Sequence, residues 1–154
     1  MNHTTKPLVS IGLPVFNGQN FLEEAIKSVL NQTYKNLELI ISDNGSTDNT
    51  QKICYKYLKK DKRIQYYRFS KNYGAAKNYN RTFNFSNGKY FKWHAHDDLL
   101  TNTNISRSVR IMEKYPDITL CGSQKIIIDA DGNLLSQYDF QNLNLLENDP
   151  VVRY

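Results

Sequence analysis

The clearest indication of the fold is the stretch Leu37-Glu-Leu-Ile-Ile-Ser-Asp-Asn-Gly-Ser-Thr-Asp48. Its first half, residues 37–42, is an almost continuous apolar run, which is typical of a strand that is covered on both faces. Its second half is a polar loop of turn-forming residues, in which Ser46 or Thr47 can cap a helix. A buried strand that leads through a polar loop into a helix predicts a parallel α/β sheet.

The same alternation of strands and helices extends on both sides of this stretch. Besides the helix after Asp48, the patterns predict strands over 8–13, 64–69 and 90–95 and within 118–128, and helices over 22–30, 75–85 and 102–115. Asp131-Gly132-Asn133 is a hairpin turn signal. Asn20 and Glu23 resemble a capping box at the first helix. The order predicts an α/β fold: a doubly wound, mostly parallel sheet with helices on both faces.

Length and composition limit the classes of protein to consider. With 154 residues, 40% of them hydrophobic, the chain suits a single domain over residues 1–154, with a core over about 8–130 and a tail, 137–154, that no pattern assigns. No apolar run approaches the ~18 residues of a membrane span, and the polar start lacks the apolar segment of a secretory signal. Cys54 and Cys121 lie in apolar contexts and are expected to be buried thiols. These features predict a cytoplasmic protein.

The net charge of +5 raises the question of an anionic partner. Lysines on solvated helix faces account for the charge. The densest cluster, Lys59-Lys60-Asp61-Lys62, is interrupted by an acid and makes a poor surface for nucleic acid, so no nucleic-acid partner is expected. A basic chain suits peripheral association with the inner face of a membrane, but no segment forms an amphipathic anchor.

Several well-known catalytic motifs are absent from the sequence, among them the P-loop, the dinucleotide fingerprint, the nucleophile elbow and the Cys/His spacings of zinc sites. What remains is a set of polar residues where the strands end. Asp97 and Asp98 follow the fourth strand, and adjacent carboxylates are costly unless a cation or a helix N-terminus compensates them. Mg²⁺ or Mn²⁺ shared with substrate phosphates would compensate them; the alternative is an ordinary pair at the start of the next helix.

Other polar residues at the same edge of the predicted sheet each have two interpretations. Asp43 can accept hydrogen bonds from a base or a ribose, or it can cap its own turn. His96 can contact a phosphate, a metal or a carboxylate, whereas His94 is expected to be structural. Lys77 and Arg81 lie one turn apart on the third helix, where they can meet phosphates or remain solvated.

Five segments of the chain match, in order, the signatures of a known family. They are residues 9–17 (VSIGLPVFN), 28–34 (SVLNQTY), 41–50 (ISDNGSTDNT), 72–78 (NYGAAKN) and 88–98 (GKYFKWHAHDD). These segments resemble family 2 glycosyltransferases, which are inverting enzymes. The resemblance implies a GT-A, Rossmann-like nucleotide-diphospho-sugar transferase fold in truncated form. It also implies transfer of a sugar from a nucleoside-diphosphate-sugar, typically a UDP-sugar, to the hydroxyl of a carbohydrate or lipid-linked acceptor.

The resemblance implies roles for particular residues. The nucleotide-binding residues would be Pro14, Val15, Phe16, Asn17, Asp43, Lys77 and His96, and the metal ligands would be Asp97 and Asp98. The loop at Pro14 would lie against the base, Asp43 would hydrogen-bond the base, typically uracil, and Lys77 would approach the diphosphate. A divalent cation, Mn²⁺ or Mg²⁺, would bridge the phosphates and neutralise the leaving group.

Two departures from the family pattern bear on activity. Ala95-His96-Asp97 stands where the family has D-x-D, so the first acid is absent and His96 or Asp98 would compensate for it. The family's general base lies further downstream, in an acceptor-binding half. None of the acids after Asp98 lies in a matching segment, and no catalytic residue is assigned.

The chain is therefore interpreted as the donor-binding portion of a metal-dependent, inverting glycosyltransferase, with polysaccharide biosynthesis as the implied context. A catalytically silent nucleotide-sugar-binding or interaction module is the alternative. A nucleotidyltransferase is less consistent with the sequence, because Pro14-Val-Phe-Asn17 stands where that class carries a loop rich in Gly and Arg.

Overall fold

The structure is a computed structural model that describes residues 6–137. Its elements are β1 (Val9–Val15), α1 (Leu22–Leu30), β2 (Leu37–Asp43), α2 (Thr50–Leu58), β3 (Ile64–Arg68), α3 (Ala75–Asn84), β4 (Tyr90–Trp93), α4 (Asn104–Lys114), β5 (Ile126–Ile128) and β6 (Leu134–Gln137). Strands and helices follow the order predicted from the sequence. No helix within residues 6–137 is long and apolar enough to cross a bilayer.

The main sheet confirms the predicted fold class. Its strand order is β3-β2-β1-β4, and all three strand pairs are parallel. The chain therefore winds outward from β1 through β2 to β3 and then returns to the other side of β1. This reversal makes a topological switch point between β1 and β4, where sheets of this class bind ligands beyond their carboxyl ends.

The core is built around the two central strands, whose residues are buried along their whole length. This burial explains the continuous apolar run of β2. On α1 the buried residues Leu22, Ala25, Ile26 and Val29 recur at helical spacing, as the sequence pattern predicted. Each Leu or Ile side chain that is fully buried in this way contributes about 1.5–3 kcal/mol to the free energy of unfolding.

A buried carboxylate stabilises the amino ends of the central strands, opposite the predicted site. Glu38 on β2 accepts hydrogen bonds from Ser10 Oγ (2.6 Å), the Asn87 amide N–H (2.8 Å) and Gln65 Nε2 (2.8 Å). Ser10 Oγ in turn accepts from the Gly88 amide N–H at 2.7 Å. The charge is thus compensated by hydrogen-bond donors that come from three separate segments of the chain.

The helix starts differ from the expectation of local caps. The capping box of Asn20 and Glu23 is wrong, because α1 has no side-chain cap. Glu23 instead accepts from Lys56 Nζ at 3.1 Å and from Tyr57 Oη at 2.9 Å, both on α2, and it also pairs with Lys27 at 3.0 Å. These hydrogen bonds, with that of Lys27 the strongest, lower the pKa of Glu23 to about 2.

This ion-pair cluster predicts a specific dependence of stability on pH. Because the pKa of Glu23 is about 2 in the folded chain and 4.5 by reference, its contribution is present above pH 4.5 and is lost as the pH falls toward 2. We expect the difference in Tm between the wild type and Glu23→Gln to be largest at neutral pH and to shrink through this range. Thermal unfolding at several pH values measures it. Glu24→Gln, on the exposed side of α1, is the control, and an equally pH-dependent difference for it would contradict the prediction.

The described residues divide into two compact units, residues 6–107 and 108–137. In the second unit, β5 and β6 form an antiparallel hairpin, so the turn predicted at Asp131-Gly132-Asn133 is confirmed. The strand expected within 118–128 is limited to β5 and pairs with β6 rather than with the main sheet. Of the two cysteines, Cys54 is buried as expected, but Cys121 is partly exposed, which corrects that expectation.

Candidate functional site

The loops that follow β1, β2, β3 and β4 lie at the same edge of the sheet, because all four strands are parallel. This placement was predicted from the sequence and is confirmed. Pro14 and Val15 still belong to β1 and are buried, whereas Phe16, with 42% of its surface exposed, and Asn17 lie beyond the strand. Of the four residues expected at the base, only Phe16 and Asn17 therefore present side chains to solvent.

The loop after β1 is joined to the loop after β2 by hydrogen bonds in both directions. The Asn17 amide N–H donates to Ser46 Oγ at 2.9 Å, and the Thr47 amide N–H donates to Asn17 Oδ1 at 2.9 Å. Asn17 makes both contacts from a left-handed backbone conformation, with φ of 51°. Ser46 and Thr47 therefore connect two loops instead of capping α2, which begins only at Thr50.

Asp48 continues this connection toward α2. Its Oδ2 accepts from the Gln19 amide N–H at 3.0 Å, and its Oδ1 accepts from the Thr50 amide N–H at 2.9 Å. Burial raises the pKa of Asp48, but the hydrogen bonds from Thr50 and Gln19 outweigh burial, and the pKa is lowered. A carboxylate thus satisfies an amide at the start of α2 while it holds the neighbouring loop.

Asp43 is fully buried at the end of β2. Its Oδ1 accepts from the Ser46 amide N–H at 2.8 Å, and its Oδ2 accepts from Tyr66 Oη at 2.7 Å and lies 3.2 Å from Arg68 Nε. Burial, and then the hydrogen bond to Asp43, raise the pKa of Tyr66. The turn contact expected of an Asx residue is therefore present at Oδ1, whereas Oδ2 is held by two side chains of β3.

Two asparagines that the sequence alone did not single out hold the site together. Asn44 Nδ2 donates to Asn72 Oδ1 at 2.8 Å, and Asn44 Oδ1 accepts from the Tyr73 amide N–H at 3.0 Å. Asn78 on α3 accepts from Ser42 Oγ at 2.5 Å and donates to the Val15 carbonyl at 3.3 Å. Both lie in the segments that match the family. Because Asn is common in any loop, the residue type alone did not predict that these two side chains are buried.

Cations and aromatic rings cluster where α3 begins. Lys77 Nζ lies 4.4 Å from the centre of the Tyr73 ring, and the Arg81 guanidinium carbon lies 3.6 Å from the centre of the Phe69 ring. Lys77 is exposed. Arg81 Nε and Nη2 are buried without a hydrogen-bond partner among residues 6–137, and burial lowers the pKa of Arg81. Of this pair, Lys77 is thus the residue that is exposed to solvent.

The two histidines of the fourth loop have different environments. His94 is 3% exposed, and burial lowers its pKa to about 4, so it is neutral at physiological pH and suits the structural role expected of it. His96 lies against Gly18, where a Cβ would come within 2.6 Å of the imidazole Cδ2. His96 Nδ1 lies 4.0 Å from Asp97 Oδ1. The absence of a side chain at Gly18 therefore lets the first and fourth loops meet at the switch point.

Asp97 and Asp98 fit the ligand chemistry of a hard divalent cation. Both are exposed, with 56% of the Asp97 side chain accessible, and they lie at the switch point beside His96. Carboxylate oxygens are the ligands that Mg²⁺ and Mn²⁺ take together with water and substrate phosphates. Residues 6–137 contain no group of three or more acidic, His or Cys side chains that could hold a metal alone.

Comparison of the sequence with known proteins finds the family and its members. The sequence model described as Glycosyl transferase family 2 matches residues 10–150. An uncharacterized glycosyltransferase of Rickettsia typhi is 40% identical over 127 residues, which are 80% of this chain and 39% of that protein. Another, of Haemophilus influenzae, is 36% identical over 148 residues, 93% of this chain and 46% of that protein. The chain thus spans less than half the length of these two relatives.

Solved structures with the same fold include two transferases. Staphylococcus aureus TarS 1-349 in complex with UDP-GlcNAc has a TM-score of 0.66 at 21% identity, covering 70% of this chain and 32% of that one. The mannosyltransferase PcManGT from Pyrobaculum calidifontis, in complex with GDP-Man and Mn²⁺, has a TM-score of 0.65 at 20% identity, covering 71% and 33%. The fold is therefore the GT-A fold expected from the sequence. With the family match over residues 10–150, this chain belongs to glycosyl transferase family 2.

Proposed function

We propose that this chain is the donor-binding part of a glycosyltransferase that transfers a sugar from a nucleoside-diphosphate-sugar, typically a UDP-sugar, to an acceptor hydroxyl. Transfer would proceed with inversion and with a divalent cation. The observation that carries the proposal is the convergence of the loops after β1, β2, β3 and β4 at one sheet edge, with exposed carboxylates in the fourth and an exposed lysine at the start of α3. The UDP-GlcNAc held by TarS and the GDP-Man and Mn²⁺ held by PcManGT support this class of ligand.

We assign the nucleotide base to the loops after β1 and β2. Phe16 and Asn17 are exposed at the start of the first loop, and the buried Pro14 and Val15 would support the base from the end of β1. Asp43 remains the proposed acceptor for a base N–H. Because its carboxylate is covered by partners from β3, direct contact with a base requires the partly exposed Arg68 side chain to move away from it.

We assign the diphosphate to the space between Lys77 and the loop of His96. Lys77 would bind phosphate oxygens as a mobile point charge, and His96 would donate a ring N–H to them. Asp97 and Asp98 would hold Mn²⁺ or Mg²⁺, and that cation would neutralise the charge that develops on the leaving nucleoside diphosphate. The residues of this chain thus bind and orient the donor, and no general base is assigned among them.

The remaining parts of the proposal concern the whole protein. Residues 1–154 would form one domain with a core over about 8–130, and the tail 137–154 falls almost wholly outside the described residues. The acceptor would be a carbohydrate or a lipid-linked carbohydrate, in polysaccharide biosynthesis. We place the protein in the cytoplasm, in peripheral contact with the inner face of the membrane, because the basic charge favours anionic lipid.

Ligand-dependent unfolding tests the proposal. We expect UDP with Mn²⁺ to raise Tm by several degrees, since a ligand at 100 times its Kd stabilises by about 2.7 kcal/mol. UDP alone, Mn²⁺ alone and inorganic phosphate with Mn²⁺ should each have smaller effects, and GDP in place of UDP measures the preference for the base. If no nucleoside diphosphate with metal stabilises the chain, the proposal is wrong.

A catalytically silent binding module is the second candidate, and Ala95 at the position of the family's first acid favours it. The two candidates differ in turnover. A silent module binds UDP-sugar with Mn²⁺ but neither transfers nor hydrolyses the sugar, whereas an enzyme releases UDP. Measuring UDP release from a UDP-sugar with the 154-residue chain distinguishes them.

A further inference from the structure

Gln32 is a fully buried polar residue that lies just beyond the end of α1. Its Nε2 donates to the Thr101 carbonyl at 2.8 Å and to the Ser28 carbonyl at 3.0 Å, and its Oε1 accepts from the Ile105 amide N–H at 3.1 Å. Both amide protons and the carbonyl oxygen therefore have partners. Two of these partners are 69 and 73 residues away along the chain.

One of these distant partners, Thr101, lies between Asp98 and α4, and the other, Ile105, lies in the first turn of α4. The first amides of a helix have no partner within the helix, and Gln32 satisfies the amide of Ile105, the second residue of α4. The backbone beside Gln32 adds another contact, because the Thr33 amide N–H donates to the Asn102 carbonyl at 2.8 Å. The end of α1 thus holds both ends of a short segment, at residue 101 and at residue 105.

We infer that Gln32 is a positioning residue for the two carboxylates of the candidate cation site, an inference that rests on the proposed function. Thr101 lies three positions after Asp98, a reach of about 10 Å at most, so a shift at Thr101 changes where the carboxylates lie. Side chains that hold metal ligands in place typically alter metal affinity 10- to 100-fold when they are replaced. Gln32 acts in the same way through the backbone.

The test replaces Gln32 by Met, which keeps the length of the side chain and removes its hydrogen bonds. Ser10→Ala is the matched control, since it breaks buried hydrogen bonds at the opposite edge of the same sheet. For Gln32→Met we expect faster hydrogen exchange over residues 97–105 and a 10- to 100-fold weaker apparent affinity for Mn²⁺ in the presence of UDP. Ser10→Ala should change neither.

A double variant separates positioning from stability. Adding Thr103→Asn to Gln32→Met provides a local cap for the amide of Ile105, because Asn before a helix accepts from its second or third amide. We expect the double variant to regain Tm but not Mn²⁺ affinity, since the tether to α1 is still missing. It also provides a folded protein if Gln32→Met alone does not fold.

The outcomes distinguish this inference from the proposed function. Unchanged exchange over 97–105, or equal losses of Mn²⁺ affinity in Gln32→Met and Ser10→Ala, would overturn the inference. Recovery of Mn²⁺ affinity together with Tm in the double variant would also overturn it, because the effect would then be one of stability. If the wild-type chain shows no Mn²⁺-dependent binding of UDP, the proposed function is wrong. The predicted effect of Gln32 on Mn²⁺ affinity is then wrong as well. The exchange result would still decide whether Gln32 holds the segment.

Discussion

The Asp97→Asn variant is expected to bind Mn²⁺ in the presence of UDP about 100-fold more weakly than the wild-type chain does. The substitution keeps the shape of the side chain but removes the charge that a hard cation requires from its ligand. The effect should be at least as large as the 10- to 100-fold loss caused by residues that only support a ligand. Because the Asp97 side chain is 56% exposed, the fold itself should not depend on this charge.

Titration of Mn²⁺ by calorimetry at a fixed concentration of UDP measures this prediction. Asp117→Asn, which changes another exposed acid in the second unit, is the matched control and should leave the affinity unchanged. Asp98→Asn, measured in parallel, shows whether the second carboxylate takes over the role of the family's missing acid. A wild-type affinity in Asp97→Asn, with a normal Tm, would contradict the assignment of Asp97 as a metal ligand.

Replacing Asp43 by Ala should lower the free energy of unfolding by about 3 kcal/mol, through the unpaired groups that remain. The Ser46 amide, the Tyr66 hydroxyl and the Arg68 guanidinium would each lose a partner beside a fully buried position. Arg68 is 32% exposed and can turn to water, so the ion pair contributes less than a fully buried pair would. Most of the loss should therefore come from the hydrogen bonds.

Urea denaturation measures the loss, and two variants divide it. Tyr66→Phe removes one hydrogen bond and should cost about 1 kcal/mol. Asp43→Asn keeps an oxygen for the Ser46 amide but turns a donor toward Tyr66 and Arg68, so it should be closer to Asp43→Ala than to the wild type. A loss below that of Tyr66→Phe would mean that the buried carboxylate does not stabilise this loop.

These interactions could not be predicted from the sequence, although the elements that carry them were. Asp43 was recognised as the end of a buried strand, and its local bond to the Ser46 amide follows from general turn geometry. Its bonds to Tyr66 and Arg68 depend on the register of β2 and β3, which places Ile41 beside Tyr66 and Asp43 beside Arg68. No local pattern specifies that register in a parallel sheet, where the paired strands are joined by a crossover.

The end of β1 shows the same limit on a single residue. Proline cannot donate to a sheet, so the strand was expected to end at Pro14, but β1 continues to Val15. The reason lies in β4, which pairs only with Val9–Gly12 of β1 and ends before Pro14 is reached. The backbone nitrogen of Pro14, which carries no hydrogen, points to the side of β1 where β4 has already ended. On the other side, β1 remains paired with β2.

The order of strands and helices could be predicted from the sequence, together with the parallel sheet and the edge at which the polar loops lie. Those features follow from local hydrophobic periodicity and from the chain direction that parallel strands require. Local sequence patterns do not specify which polar side chains face solvent and which hold other loops, because these depend on contacts in the folded chain. Asp43 is buried beneath Arg68, Asp97 remains exposed, and Gln32 holds the Ile105 amide. These partners are far apart in the chain, and they meet only when the sheet register and the loop closures are complete.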